Sequence, residues 1–167
     1  LTPIVVVPQK QLDHATKEFL NNKYSSAVYN IVGGFNSVSA QVEKDLVAIT
    51  AHYSQNNRVK RYSGDNRQLT NAEVISAFYN KAEGLVVAKS DTKSLVDALA
   101  AAPLAGENKS PILLATKKLE DAQKTALRNH VVGYHQQKVD NGYAKVYEVG
   151  MGIASEVMTT VYQILGL

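Results

Sequence analysis

Pro111-Ile112-Leu113-Leu114-Ala115 is an apolar run opened by a proline and closed by the polar stretch Thr116-Lys117-Lys118. A run of this length between turn signals reads as a buried strand, and a strand apolar on both sides belongs in a parallel sheet covered on each face. Pro3-Ile4-Val5-Val6-Val7 has the same pattern near the start of the chain. A single apolar helix face follows each run: Leu12, Ala15, Phe19 and Leu20 after the first, Leu119, Ala122, Ala126 and Leu127 after the second. Each helix then gives way to a Val-Tyr strand, at Val28-Tyr29 and at Val146-Tyr147. The same elements in the same order, opened by proline both times, indicate an internal repeat.

Working outward, the first copy reads as strand 3–7, helix 12–21, strand 28–32 and helix 38–53, the last capped by Ser37 or Ser39. The second copy opens with a strand over 59–63. Thr70 and Glu73 have capping-box spacing, which predicts a helix over 71–82 burying Val74, Ile75 and Phe78. Strand 84–89, helix 93–105 stopped near Pro103, the Pro111 strand, helix 119–130, strand 145–149 and a final helix capped by Ser155 complete the pattern. Strands alternating with helices imply an α/β fold: tandem three-layer α/β/α modules with mainly parallel sheets, flavodoxin- or TIR-like. The partial module spans 1–55 and the complete one 56–167. Having only the back half of a module, the first copy exposes a sheet edge, and a cover over Pro3–Val7 is expected.

Composition limits the chemistry. Of 167 residues, 45% are hydrophobic and 20% charged, the balance of a globular domain. The absence of cysteine removes disulfides, thiolate metal sites and a cysteine nucleophile. A net charge of +3 leans weakly towards anionic partners and does not mark a nucleic-acid binder. No apolar run reaches the length of a membrane span. His14, His52, His130 and His135 lack metal-ligand spacing, and Ser63 has neither a histidine partner nor a nucleophile elbow. No catalytic constellation, metal or cofactor is expected.

Three segments carry a resemblance. Arg61-Tyr62-Ser63-Gly64-Asp65-Asn66-Arg67 resembles the R-x-S-G-x-x-R opening of the cell wall binding repeat 2 family of clostridial S-layer and cell wall proteins. Asp97-Ala98-Leu99-Ala100-Ala101-Ala102-Pro103-Leu104-Ala105 resembles its D-A-L-x-A-A-P-L-A helix, and Pro111-Ile112-Leu113-Leu114 its P-I-L-L strand. Ile31-Val32-Gly33-Gly34 through Ser39 is similar to the module's close. The resemblance implies a non-catalytic, non-covalent anchor on the extracellular wall. Three modules would pack as a trimer-like unit, beside other S-layer subunits, on an anionic secondary polymer. The sequence departs from the pattern at Pro3-Ile4-Val5-Val6, at Val149-Gly150-Met151-Gly152, and in a polar insertion from His130 to Tyr143.

Candidate polymer-binding residues follow from chemistry and from the resemblance. Arg61 and Arg67 are bidentate anion partners, or alternatively ties to a neighbouring module. Pro111, Ile112, Leu113 and Leu114 are the strand to which the resemblance assigns binding, although their side chains cannot hold phosphate. Ligands of open α/β sheets lie beyond the carboxyl ends of strands, which selects Thr116, Lys117 and Lys118. Pro3 and Lys10 are the counterparts in the first copy. Gly33-Gly34 before a helix is a weak anion signal and the better reading is a tight turn. Two other functions fit the same sequence: a structural S-layer assembly module without polymer contact, and a flavodoxin-like nucleotide-binding protein.

Overall fold

A computed structural model describes residues 3–53, 58–79, 82, 84–91, 95–115, 117–130 and 145–167. They form two compact units, Leu1–Asp65 and Asn66–Leu167.

In the first unit, helix α1 (His14–Tyr24) begins at Asp13, whose carboxylate accepts from the Thr16 N–H at 2.9 Å. Strand β1 (Tyr29–Val32) leads to α2 (Ala40–Thr50), where Ser39 Oγ accepts from the N–H groups of Gln41 and Val42. Strand β2 (Val59–Tyr62) then pairs parallel with β1, placing Tyr29 opposite Val59 and Val32 opposite Tyr62. Leu12, Leu20, Ile31, Val42, Leu46 and Ile49 make the core, with Val7, Tyr29 and Val59 packed against it. The expected apolar face of α1 is thus narrower than the sequence suggests. Phe19 is half exposed and rests on Tyr24, ring centroids 5.6 Å apart.

The expected strand over 3–7 does not form. The segment is irregular, with Ile4 and Val6 each 92% exposed while Val7 alone reaches the core. A strand needs a neighbouring backbone, and among the described residues β1 pairs only with β2.

Asp45 fastens α1 to α2. Burial acts to raise its pKa, but donors from Gln41 (3.0 Å), Lys17 (3.0 Å) and the Leu12 N–H (3.2 Å) outweigh it and hold the carboxyl below 3.8. A depressed carboxyl contributes stability above its unfolded pKa and loses it as pH falls through the folded value. The first unit is therefore expected to weaken below about pH 4, and Asp45→Asn to flatten that slope, in thermal melts recorded across pH.

In the second unit, α3 (Arg67–Phe78) starts a turn earlier than the capping-box spacing predicts. Asn66 Oδ1 accepts from the Leu69 N–H at 2.8 Å and caps the helix, leaving Thr70 inside it. Strand β3 (Gly84–Lys89) is followed by two short helices, α4 (Leu95–Ala100) and α5 (Ala102–Glu107), in place of one. Pro103 opens the second of them, where its missing N–H costs nothing. Then come β4 (Ile112–Ala115), α6 (Asp121–His130), β5 (Lys145–Val149) and α7 (Ser155–Leu165). Ala154, not Ser155, holds the N-cap position of α7, with no side-chain cap.

The sheet order is β4-β3-β5, all parallel. Leu85, Val87, Leu113 and Ala115 face a core shared with α3, α6 and α7. Val86, Ala88 and Ile112 face the opposite side, under α4 and α5. The chain therefore crosses one face from β3 to β4 and the other from β4 back past β3 to β5, as right-handed connections require when the direction of travel reverses. This is the α/β fold with parallel sheets that the alternating pattern implies. Phe78, expected in the core, is 46% exposed at the last residue of α3, whose buried residues are Ala72 and Ile75.

Candidate functional site

Among the described residues, the proline-opened strand β4 is the edge of its sheet, paired with β3 alone. Its outer edge is occupied by side chains. Asn71 Nδ2 donates to the Ile112 carbonyl at 2.8 Å, and Asn71 Oδ1 accepts from the Leu114 N–H at 3.0 Å. One side-chain amide thus makes both bonds that a neighbouring strand would make. Gln123, fully buried, donates to the Leu114 carbonyl at 2.8 Å and to Asn71 Oδ1 at 3.2 Å, and accepts from the Glu120 N–H. The two amides lock β4 to α3 and α6.

This arrangement separates the strand residues by role. Leu113 is completely buried and Pro111 is buried too, while Ile112 and Leu114 are partly exposed. Ile112, Leu114 and Pro111 line an open, apolar groove of about 420 Å³ with Val74, Tyr79 and Leu99. Beside it, Val96 and Leu99 on α4 are 70% and 75% exposed.

At the carboxyl end of β4, Lys117 and Lys118 are exposed, whereas Thr116 lies outside the described residues. The surroundings are cationic. The Asp121 carboxyl is held below its usual range first by a hydrogen bond from Lys124 (2.9 Å) and by its charge, and also by the fields of Lys118 and Arg128. Lys89, at the end of β3, is paired with Asp91 at 3.1 Å.

Arg61 sits elsewhere, in the first unit. Its guanidinium makes a fork on Glu43 (Nε at 3.0 Å, Nη2 at 2.9 Å) and donates to the carbonyls of Gly33 at 2.7 Å, Val38 at 2.8 Å and Ser39 at 3.4 Å. It also stacks on Phe35, 4.3 Å from the ring centre. The side chain is 9% exposed. Those contacts clasp β2 to the loop and helix that follow β1, the geometry of a tie. Arg67 is exposed in the first turn of α3, and Pro3 and Lys10 are exposed in the first unit, where the Lys10 carbonyl accepts from Ser39 Oγ at 2.5 Å.

The structure thus brings Lys117 and Lys118 together at the end of the Pro111–Leu114 strand, and leaves Arg61, Pro3 and Lys10 in the other unit. Asn71, Gln123 and Glu43 were not selected from the sequence. The first two had a signal: each is a polar residue in an apolar helical stripe, Asn71 with Ile75 and Gln123 with Leu119 and Leu127. Glu43 had none, because its partner lies on a different element. Much of the polar insertion, residues 131–143, lies outside the described residues. Among the described residues no group of three or more His, Asp or Glu could hold a metal, and no helix is long and apolar enough to cross a membrane.

A family model described as cell wall binding domain 2 matches residues 61–158. Among solved structures, Cwp8 from Clostridium difficile is 36% identical with a TM-score of 0.81, over 99% of this chain and 25% of that one. Cwp6 from the same organism is 26% identical with a TM-score of 0.74, over 98% of this chain and 23% of that one. The chain thus spans about a quarter of the length of these two cell wall proteins. A comparison with curated proteins gives no match. On the breadth of the family match and the identity to Cwp8, this chain belongs to the cell wall binding domain 2 family, with the cell wall or surface location that membership carries.

Proposed function

We propose that the chain is part of a non-catalytic anchor holding a surface protein to an anionic secondary polymer of the wall. Residues 1–55 would close one binding repeat and residues 56–167 form the next. The family match over 61–158 is the observation that carries this reading. The polymer meets the cationic turn after β4, where exposed Lys117 and Lys118 supply charge and Thr116 an uncharged hydroxyl, and where Arg67 can add a further bidentate cation from α3. Pro111, Ile112, Leu113 and Leu114 act by fixing that turn to the sheet, and Arg61 by clasping one repeat's opening strand to the repeat before it. Pro3 and Lys10 occupy the corresponding place in the first copy.

The test is retention on purified wall by a protein carrying all of its repeats. Charge reversal at Lys117 and Lys118 together is expected to weaken retention about tenfold, since exposed pairs contribute up to about 1 kcal/mol each. Raising salt reduces retention of the parent and narrows the gap. Equal retention of parent and variant, or of the parent on wall stripped of polymer, overturns the reading.

The groove beside β4 favours a second role for the same module. Its lining is apolar, and Val96 and Leu99 are widely exposed, a surface that suits packing against a sister module in a trimer-like unit or an S-layer and does not suit a polyanion.

A further inference from the structure

We propose that the outer edge of β5 is a docking site for one kind of strand, the opening Val-x-Arg-Tyr strand of another repeat of this family. The first unit supplies the precedent. There β1 is followed by α2 and then by β2, which pairs in parallel beside β1. In the second unit β5 is followed by α7, which packs on the same core face as α6, and among the described residues only β3 pairs with β5. A right-handed connection through a helix on that face sets a further parallel strand down beside β5, on the side away from β3.

The two strands align through the glycines that end them. Gly33 and Gly150 each follow the last strand residue and each has a positive φ, +131° and +101°. Val32 then matches Val149, Ile31 matches Glu148, Asn30 matches Tyr147 and Tyr29 matches Val146. The packing agrees: Tyr29 and Ile31 face the α1–α2 core and Val146 faces the α6–α7 core, while Tyr147 and Val149 face α4 and α5. Register through the Val-Tyr pairs would put these residues on the wrong faces.

Backbone direction follows from the same alternation. In β3, the Val86 N–H donates towards β4, to the Pro111 carbonyl, and Val86 faces α4–α5. Residues of the opposite face therefore direct their N–H groups the other way, towards β5 and beyond. On β5 those are Val146 and Glu148, whose N–H groups point away from β3, as those of Tyr29 and Gly33 point to β2 in the first unit.

Charge selects the occupant. In the first unit Ile31 lies opposite Arg61, and the arginine finds its carboxylate on α2, at Glu43. Counting from the N-cap residues Ser39 and Ala154, the position of Glu43 is Met158 in α7, which is buried and uncharged. The acid appears on the strand: Glu148, exposed, stands where Ile31 stands, opposite the incoming arginine. An aliphatic residue and an acid have exchanged places while the pair is kept. The carbonyls of Gly150 and Ile153 correspond to those of Gly33 and Val38, two of the acceptors that hold Arg61. At the other end of the sheet Asn71 closes the β4 edge, so extension is possible on the β5 side alone.

The proposal takes the identity of the strand from the repeat reading above, yet its test does not involve the wall. Hydrogen exchange is measured on the full chain and on the chain extended after Leu167 by a second copy of residues 53–66. This extension puts as many residues between Leu165 and the added strand as separate Thr50 from Val59. In the extended chain the Val146 and Glu148 amides are expected to exchange at least about tenfold more slowly, with β1 and β2 unchanged. Glu148→Lys is expected to abolish the slowing in the extended chain, and an Arg→Glu change in the added strand to restore it. Unchanged exchange at Val146 and Glu148 overturns the docking site. Slowing that persists undiminished in Glu148→Lys overturns the arginine pairing that selects the strand. Either failure leaves wall retention by Lys117 and Lys118 unaffected, and a loss of that retention leaves this exchange result unaffected.

Discussion

Arg61→Met is expected to destabilise the first unit by about 3 kcal/mol, because it strips the partner from a half-buried carboxylate and from three carbonyls. Glu43 remains about one-third exposed, which limits the loss; a wholly enclosed acid would cost more. Arg61→Lys keeps the charge but cannot reproduce the fork or the stacking on Phe35, and is expected to recover less than half. Urea unfolding followed through signals of the first unit measures both variants. Full stability in Arg61→Met would show that the clasp is dispensable. Wall retention at temperatures where the variant is folded separates this tie from direct contact with polymer, since only contact predicts loss from an intact fold.

Asn71→Leu keeps the volume of the side chain and removes the edge lock. The Ile112 carbonyl, the Leu114 N–H and one Gln123 donor all lose a partner, for a cost of about 2–3 kcal/mol in the second unit. The variant also exposes a strand edge beside an apolar groove, so it is expected to self-associate at concentrations where the parent stays monodisperse. Asn71→Asp is the informative companion, because it retains the acceptor for Leu114 but sets a carboxylate oxygen against the Ile112 carbonyl. Light scattering and thermal melts of the three proteins decide the matter: a soluble, fully stable Asn71→Leu would mean that the amide does not act as a strand.

Parallel strands and two-faced burial could be read from Gly84–Lys89 and Pro111–Ala115, because a short apolar run between turn signals fits a strand covered on both faces. Helix starts were less legible. Asn66 and Thr70 both carry capping chemistry, and only the packing of Ala72 and Ile75 decides between them. The segment 3–7 shows the opposite limit. Its sequence has every mark of a strand, but strand formation depends on a neighbour that the segment itself cannot specify. The lysines after β4 were found because the carboxyl end of a parallel strand is a known place for ligands. Arg61 was noticed for its chemistry, while its use is set by Glu43 and a loop close in space and distant in the chain.

The amide that seals β4 has a meaning for life at high density. Proteins held side by side on a cell envelope meet one another at local concentrations far above those in dilute solution, and naked strand margins would fuse them into continuous ribbons. With Asn71 standing in for the missing backbone, two such modules colliding through that margin find the Ile112 carbonyl and the Leu114 amide already paired. Crowding then leaves them as separate, exchangeable tiles.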